Sequence, residues 1–187
     1  PKGLEELVSG CQIRIGPTLD YLDDAWSKHI MGEMPDKPVI WGLIPTLRDP
    51  SLAPKGYHFL SLNVWNVPYR LRKGDWETGK DVFGQRCIDT MARYIPNLKD
   101  IIVDKVFLSP LDMEKQYNLL EGDPHCGAMG PEQMFGNRLL PSISKYNTEF
   151  TGLYLSGAGT WPGGFISGLS GHNAAKKVIN DLTYRIQ

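Results

Sequence analysis

The sequence predicts an α+β fold in which a mixed, mainly antiparallel sheet is covered by helices and is followed by a C-terminal strand–turn–helix unit. Two apolar runs lie on either side of a turn-rich connection, which is typical of paired strands. Two other segments carry apolar residues at helical spacing. Near the C-terminus, a glycine-rich run joins a short apolar stretch to an amphipathic segment.

The first covering helix is predicted to begin at Thr18, a residue suited to the N-cap position, and to end before Gly32 and Pro35. Its apolar residues Leu19, Leu22, Trp26 and Ile30 recur at helical spacing. Residues 37–45 and 57–65 are the strand candidates, and Gly, Pro and Asp are frequent in the connection between them. This arrangement predicts an antiparallel pair joined by a long loop.

A second helix is predicted from about Glu77 to Tyr94, and Pro96 is expected to end it. Its apolar residues again follow helical spacing, with an expected buried face of Phe83, Cys87, Ile88, Met91 and Ile95.

The next apolar run, residues 101–109, favours a third strand, and a short helix is expected from Pro110 through Leu119. Residues 121–144 are rich in Gly and Pro and show no periodicity. Because this is long for a passive connection, we expect either a functional loop or a disordered tip there.

Composition excludes several classes of function. The 187 residues carry 20 basic and 21 acidic side chains, so there is no basic excess for nucleic acid. No apolar run approaches the length of a membrane span, although an apolar substrate would leave peripheral contact with a membrane open. The three cysteines fit neither a disulfide framework nor a zinc pattern, which favours an intracellular location, cytoplasmic or organellar. The chain starts at Pro1 rather than Met, and we expect truncation rather than processing.

The glycine-rich run is the strongest functional signal in the chain. Gly157, Ala158 and Gly159 follow the strand candidate at residues 153–155, and the dinucleotide fingerprint G-x-G-x-x-G fails only because Pro162 takes the place of the third glycine. A helix is predicted from Ser167 to Leu182, capped by a residue between Ser167 and Ser170. Its free N–H groups would carry roughly half a positive charge, suited to a phosphate or an electron-rich ring edge. The alternative is a glycine-rich turn that packs against its own helix.

Two parts of this run, GLYLSGAGTWPGG and SGLSGHNAA, resemble the C-terminal flavin-binding signature of the phytoene desaturase-like FAD oxidoreductases. Upstream, IPTLRDPSLAPKGYHFLSL, PYRL, GDW, SPLDME and PEQMFGNR occur in the order typical of one branch, the pyridine nucleotide-disulfide oxidoreductase domain proteins. The resemblance extends from about Gly16 to the end of the chain.

The resemblance implies the C-terminal portion of such an enzyme. Residues 1–150 would belong to the substrate domain, and residues 151–187 would be the returning strand and helix of the FAD/NAD(P)-binding α/β domain. Its partner would be the N-terminal FAD-binding half of the same protein. The cofactor would be FAD, contacted by Gly157, Ala158, Gly159, Thr160, Gly163, Gly164, Ser167, Gly168 and Leu169. Of these, the residues around Gly157–Gly159 would lie near the phosphates and ribityl chain, and Gly164–Leu169 near the flavin ring.

This chain departs from the family pattern at two aromatic positions. Trp161 stands where the family often has histidine, and Phe165 where it often has glycine or another small residue. Neither side chain can serve as a proton carrier, and the sequence identifies no catalytic base. The implied reaction is hydride transfer from an apolar, polyene-like substrate to FAD, and the chain alone is expected to be inactive. The alternatives are a flavin-dependent isomerase or saturase, and a non-catalytic interaction module that keeps the fold.

Other chemically suggestive residues receive structural interpretations. His125 lies beside Cys126 but has no second ligand at metal spacing, so no metal site is predicted. His29 and His58 are expected on a helix surface and in a strand, and His172 either at the cofactor or in solvent.

Arg138 is interpreted as a surface salt-bridge residue in preference to a ligand for an anion. A set of aromatic residues is expected in the sheet core in preference to a substrate cavity: Trp41, Tyr57, Phe59 and Trp65.

Overall fold

The computed structural model describes residues 12–138, 140–163 and 166–186, with the backbone alone for residues 184–186. The chain divides into two compact units, the first ending at Asp112 and the second beginning at Met113. The predicted domain boundary at residue 150 concerns the domains of a whole enzyme and stays a prediction.

The first unit contains a three-stranded antiparallel sheet. Its strands are β1 (Gln12–Ile15), β2 (Val39–Leu43) and β3 (Ser61–Trp65), in that spatial order. Ile40 of β2 lies opposite Ile15 on one side and Val64 on the other, and these apolar side chains face the core. The predicted antiparallel pair is confirmed. Strand β1 was not predicted, because four residues are too short a run for period-two alternation to be distinguished.

Helix α1 (Leu19–Ile30) begins where predicted, and the Thr18 hydroxyl oxygen accepts the Tyr21 N–H at 3.2 Å. Most of the apolar residues at helical spacing are not buried. Leu19, Trp26 and Ile30 are 78%, 54% and 65% exposed, whereas Ala25 is fully buried. The helix packs against β2, and a small side chain permits the closest approach of helix and strand, so burial follows Ala25 instead of the apolar stripe.

Helix α2 (Trp76–Ala92) supplies most of the core. The Asp75 carboxylate accepts the Thr78 N–H at 2.9 Å and so caps its first turn. The predicted buried face is confirmed in full, since each of its residues is at most 7% exposed. The core cluster of the first unit is formed by this face, two sheet residues and two flanking residues, and consists of Ile15, Ile40, Trp76, Phe83, Cys87, Ile88, Met91, Ile95 and Leu98.

The segment after α2 contains helix α3 (Leu98–Ile101) and helix α4 (Pro110–Tyr117), which confirms the predicted short helix to within two residues. The strand predicted over residues 101–109 is wrong. Residues 102–109 form neither helix nor strand, and Val103 and Val106 are 76% and 78% exposed. A strand needs a neighbour to accept its hydrogen bonds, and within the described ranges no strand pairs with this segment.

The second unit is largely irregular before its last helix. Short 3-10 turns occupy residues 120–122, 131–133, 135–137 and 141–143, which fits the expected lack of periodicity. The strand predicted at residues 153–155 is wrong, since only Tyr154 forms an isolated bridge, with Asn147. Helix α5 (Leu169–Ile186) confirms the predicted terminal helix. No described helix is long and apolar enough to span a membrane.

Candidate functional site

The glycine-rich run folds into a closed turn in front of α5. The N–H and the hydroxyl of Thr160 both donate to the Gly157 carbonyl oxygen, at 3.1 Å and 2.9 Å. Gly157 has a φ of +87°, a conformation that L side chains rarely adopt. Thr160 itself is 5% exposed, so the end of the turn is anchored inside the second unit.

The buried side chain of Arg138 is hydrogen-bonded to this turn. Its side chain is 2% exposed, and Nε donates to the Gly159 carbonyl oxygen at 3.0 Å. The remaining guanidinium N–H groups reach the carbonyl oxygens of Cys126, Ala128 and Ala158 and the Met129 sulfur. All five N–H donors of the guanidinium are therefore used within the chain.

The predicted surface salt bridge of Arg138 is wrong, because this buried guanidinium pairs with carbonyl oxygens, and no carboxylate of the described residues lies in salt-bridge distance of it. The physical reason is that several carbonyl dipoles can stabilise a buried cation. The consequence is electrostatic: a full positive charge lies within hydrogen-bond distance of the turn at residues 157–160 and favours negative charge on a ligand beside it.

The glycines of the run differ in what surrounds them. A Cβ on Gly163 would lie 3.0 Å from Arg138 Nε and 3.2 Å from the Thr160 carbonyl oxygen, and its φ is +67°, so both crowding and conformation require glycine there. A Cβ on Gly159 would meet no atom within 4 Å, and Gly159 has no positive φ. The space beside Gly159 is therefore open, and nothing in the chain's own packing requires a glycine at that position.

The start of α5 is also open. Residues 166–169 are exposed, Gly168 has a φ of +74°, and the Ser167 hydroxyl oxygen accepts the Leu169 N–H at 3.3 Å. Ser170 is buried, and its hydroxyl donates to the Thr160 carbonyl oxygen at 3.3 Å. This bond ties the helix start to the glycine turn, so the two parts of the predicted cofactor contact lie side by side.

The donor chemistry of this junction fits an anionic group. The first-turn N–H groups of a helix have no carbonyl partner within the helix, and they carry roughly half a positive charge. Here they adjoin a glycine turn that is held by a buried guanidinium. Two positions of the motif, Gly164 and Phe165, lie outside the described residues.

Trp161 follows the turn and lines an open groove that the sequence analysis did not predict. Its ring lies 4.8 Å from the Phe135 ring, and its carbonyl oxygen accepts the Tyr146 hydroxyl. Asn173 of α5 donates to the same hydroxyl at 3.0 Å. The open groove has a volume of about 460 Å³, and Lys145, Lys176 and Lys177 lie along it. Since these residues come from separate loops and one helix, no local sequence pattern could have grouped them.

The histidines do not form a catalytic or metal-binding cluster. His125 Nδ1 lies 3.6 Å from an Asp123 carboxylate oxygen, and no group that could hold a metal ion occurs in the described part of the chain. His29 stacks on Trp26 at 5.3 Å and is half-buried, with a buried Nδ1, so its expected place on the helix surface is wrong. His58 pairs with the Thr46 hydroxyl at 3.0 Å and precedes β3 instead of lying within a strand. His172 is exposed on α5.

The aromatic residues expected in the sheet core lie outside it. Tyr57 and Phe59 are each 55% exposed and Trp65 is 47% exposed, while Trp41 is half-buried and absent from the core cluster. This prediction is wrong because Trp41 and Trp65 occupy the alternate positions of their strands and so project from the face opposite the core.

Comparison with known proteins places the chain among oxidoreductases. No family model matches it. It is 38% identical, over 78% of its length, to the mouse "Pyridine nucleotide-disulfide oxidoreductase domain-containing protein 2". Over 64% of its length it is 33% identical to a limonene dehydrogenase component of Castellaniella defragrans. Over 76% of its length it is 31% identical to a "4,4'-diapophytoene desaturase" of Staphylococcus haemolyticus.

The chain spans about a quarter of the length of these relatives, 26%, 22% and 28% respectively. The similarity covers most of the present chain and agrees with the resemblance carried by the glycine-rich run and the upstream segments. The chain belongs to the phytoene desaturase-like family of oxidoreductases, to which it is related through the pyridine nucleotide-disulfide oxidoreductase domain proteins.

Proposed function

We propose that this chain forms part of a flavin-dependent dehydrogenase or desaturase that acts on an apolar, polyene-like substrate. The observation that carries the proposal is the open junction between the glycine turn at residues 157–160 and the start of α5. FAD, when bound, supplies the chemistry by accepting a hydride from the substrate. The chain's own residues bind and orient the cofactor.

Within this proposal, the residues around Gly157–Gly159 contact the phosphates and ribityl chain of FAD. Gly159 has open space beside it, which lets a ligand approach the backbone closely. The exposed residues 166–169 contact the flavin ring, where the positive end of α5 stabilises negative charge. Thr160 and Ser170 orient the two parts through their hydrogen bonds. The proposed contact of Gly164 stays a prediction.

We infer the substrate class and the partner of the whole protein by analogy with its relatives. Two relatives are named for limonene and for 4,4'-diapophytoene, which supports an apolar substrate here. Residues 1–150 would contribute to the substrate domain, and an N-terminal FAD-binding half would complete the cofactor site. Because that half binds the ADP part in this family, we expect the present chain alone to bind FAD weakly and to transfer no hydride.

A titration of isotope-labelled protein with FAD, followed by amide NMR, tests the proposal. We expect millimolar binding that shifts the amide signals of residues 157–160 and 166–170. The amides of Gly56 and Gly74 are the controls, since each has a positive φ and open space as Gly157 does. Shifts confined to these controls, or no shifts at millimolar FAD, would overturn the proposed site.

A matched pair of variants sharpens the test. Gly159→Ala fills the open space beside the turn, and we expect the FAD-induced shifts to be lost while the fold is kept. Gly136→Ala is the control, since that glycine also lacks a positive φ and its nearest non-neighbouring atom lies at 4.0 Å. Equal FAD affinity in both variants would contradict the role of Gly159. Tight FAD binding by the unmodified chain would contradict the expectation that it needs a second half.

A further inference from the structure

Residues 102–109 connect α3 to α4 without a helix, a turn or a bend. Their sequence, IVDKVFLS, is rich in β-branched and aromatic residues, the composition that strands favour. No strand within the described ranges lies beside them. We call residues 102–109 the open segment, because the described structure provides no neighbouring strand for its main chain.

The main chain of the open segment is unpaired. Backbone groups of residues 103–108 form no hydrogen bond with another backbone group of the described residues. Among their N–H groups, that of Lys105 alone has a side-chain acceptor in the described structure, the Asp104 carboxylate at 2.8 Å. A row of free N–H and C=O groups is a template for pairing with a strand from elsewhere. The open segment therefore offers the backbone of an edge strand.

Contacts with α2 and α4 fix the position of the open segment. The Phe107 ring packs so closely over Gly84 of α2 that a Cβ there would overlap it. Lys105 Nζ donates to the side-chain oxygen of Gln85 at 3.2 Å, and Ser109 is buried at the start of α4. Because the segment is already ordered, a partner strand would lose little binding free energy to ordering it.

The exposed side chains of the open segment are mostly apolar. Ile102 and Phe107 pack against the core of the first unit, whereas Val103, Val106 and Leu108 are 76%, 78% and 44% exposed. An exposed apolar strand edge promotes aggregation, and native proteins usually cover such an edge. The combination of unpaired backbone and exposed apolar side chains favours a covering strand.

The occupant that the observations favour is another part of the same polypeptide. The chain spans 26%, 22% and 28% of three relatives, so most of each relative lies outside the part that it matches. A second copy fits less well. A two-fold pair of strands centred on Asp104 or on Lys105 would place that charge opposite its own copy, and like charges directly opposite destabilise a sheet. A strand of different sequence can place an opposite charge there.

We propose that the open segment pairs with a β-strand from the N-terminal part of the same protein. The partner strand forms hydrogen bonds with the main chain of residues 103–108 and covers Val103, Val106 and Leu108 with apolar side chains. The inference rests on the proposed function for the identity of its partner, the N-terminal half that completes the cofactor site. The pairing itself requires no flavin.

Hydrogen exchange measured by mass spectrometry tests the inference, in this chain and in the full-length mouse relative. The matched stretch covers 78% of the chain, so it includes the central residues 102–109. We expect rapid exchange at residues 103–108 in the chain alone. In the relative, the corresponding amides should exchange about a hundredfold more slowly, since strand pairing protects them. Rapid exchange in both proteins would overturn the inference.

Proline at the position of Val106 locates the pairing. In this chain, Val106→Pro removes an N–H that has no partner in the described structure, so the urea midpoint should not change. In the relative, proline at the aligned position should abolish the protection, because it deletes a hydrogen bond of the proposed ladder. Threonine there is the control, since it keeps the N–H and a β-branched side chain. Protection that survives proline, or that threonine also abolishes, would contradict the pairing.

A photoreactive amino acid at the position aligned with Val106 identifies the partner in the full-length relative. We expect cross-links within one molecule, to a segment N-terminal to the matched stretch. Cross-links between two copies, or within the matched stretch itself, would overturn the inference. The flavin site is tested separately in the chain alone. Strand pairing without FAD-induced shifts at residues 157–160 would contradict the flavin site alone, and those shifts without strand pairing would contradict the present inference alone.

Discussion

Nε of Arg138 donates to the carbonyl oxygen of Gly159 at 3.0 Å, across a separation of 21 residues in the chain. This bond joins an irregular loop to the glycine turn and gives the turn a fixed backbone in a unit with few regular elements. A turn that presents its backbone to a cofactor must be rigid before the ligand arrives, since ordering it on binding would cost conformational entropy.

Loss of Arg138 should destabilise the second unit. Arg138→Met leaves buried carbonyl oxygens without donors, and we expect a loss of about 2–4 kcal/mol in the free energy of unfolding. Arg138→Lys should recover little of it, because an ammonium cannot reproduce the planar fork of donors. Urea denaturation measures both. Lys115→Met, an exposed cation lost from α4, should change stability by less than about 0.5 kcal/mol. Similar losses in the two methionine variants would show that the carbonyl contacts contribute nothing.

Two glycines of α2 should respond in opposite ways to alanine. A Cβ on Gly84 would overlap the Phe107 ring, so Gly84→Ala should cost about 1–3 kcal/mol. A Cβ on Gly79 would lie 3.5 Å from Met34, an ordinary contact, and Gly79→Ala should stabilise the helix by about 0.5–1 kcal/mol. Thermal unfolding of the two variants measures the difference. A stabilised Gly84→Ala would mean that the Phe107 ring moves aside freely.

Acid should weaken the cap of α4. The carboxylate of Asp112 accepts the Ser109 N–H at 2.9 Å, the Ser109 hydroxyl at 2.7 Å and the Lys80 ammonium at 3.1 Å. The Ser109 N–H, then its hydroxyl and then Lys80, lower the pKa of Asp112 below its ordinary value. A carboxyl group with a lowered pKa stabilises the fold at pH values above its unfolded pKa of about 3.9, and this stabilisation is lost as pH falls through the folded pKa.

Asp112→Asn should therefore lower stability at neutral pH by about 1 kcal/mol and flatten the decline of stability in acid. Urea denaturation at a series of pH values measures both effects. Asp23→Asn, on the exposed side of α1, is the control for loss of one negative charge. A decline as steep as that of the unmodified protein would show that Asp112 does not carry the acid dependence.

The two described cysteines should differ in reactivity. Burial raises the pKa of the Cys87 thiol to about 12, whereas Cys126 is exposed. Because the thiolate is the reactive form, iodoacetamide at mildly alkaline pH should label Cys126 in the folded protein and leave Cys87 unmodified. Mass spectrometry of the peptides compares them, and prior unfolding in urea should abolish the difference. Rapid labelling of Cys87 in the folded protein would contradict its burial in the core.

Local signals in the sequence predicted the helices of this protein well. The cap at Thr18 and the buried face of α2 depend on residues within a turn or two of one another, which periodicity and capping rules describe. The glycine-rich run likewise predicted the turn and the helix that follows it. The helical spacing of apolar residues in α1 did not identify its buried side. That side is determined by contact with β2, which is a separate element.

Pairing of distant segments was not predictable. Residues 102–109 have the composition of a strand but no strand neighbour in the described structure, and β1 has the neighbour but too short a pattern. The burial of Arg138 depends on backbone carbonyl oxygens from two separate loops. Every residue has such a carbonyl group, so the sequence does not show which of them will accept hydrogen bonds from Arg138. Single-sequence reasoning therefore proposed the residues of the candidate site but did not identify the buried guanidinium that supports the glycine turn.

Gly163 and Gly159 would look alike in any list of glycines, yet mutational scanning should separate them. A scan for folded protein would mark Gly163 as intolerant, because Arg138 and Thr160 leave no room for a Cβ, and would mark Gly159 as free to vary. A scan for FAD binding would mark both. Positions that tolerate substitution in the first scan but not in the second are those that contact the ligand. The same comparison along residues 157–169 would identify the rest of the proposed cofactor contact.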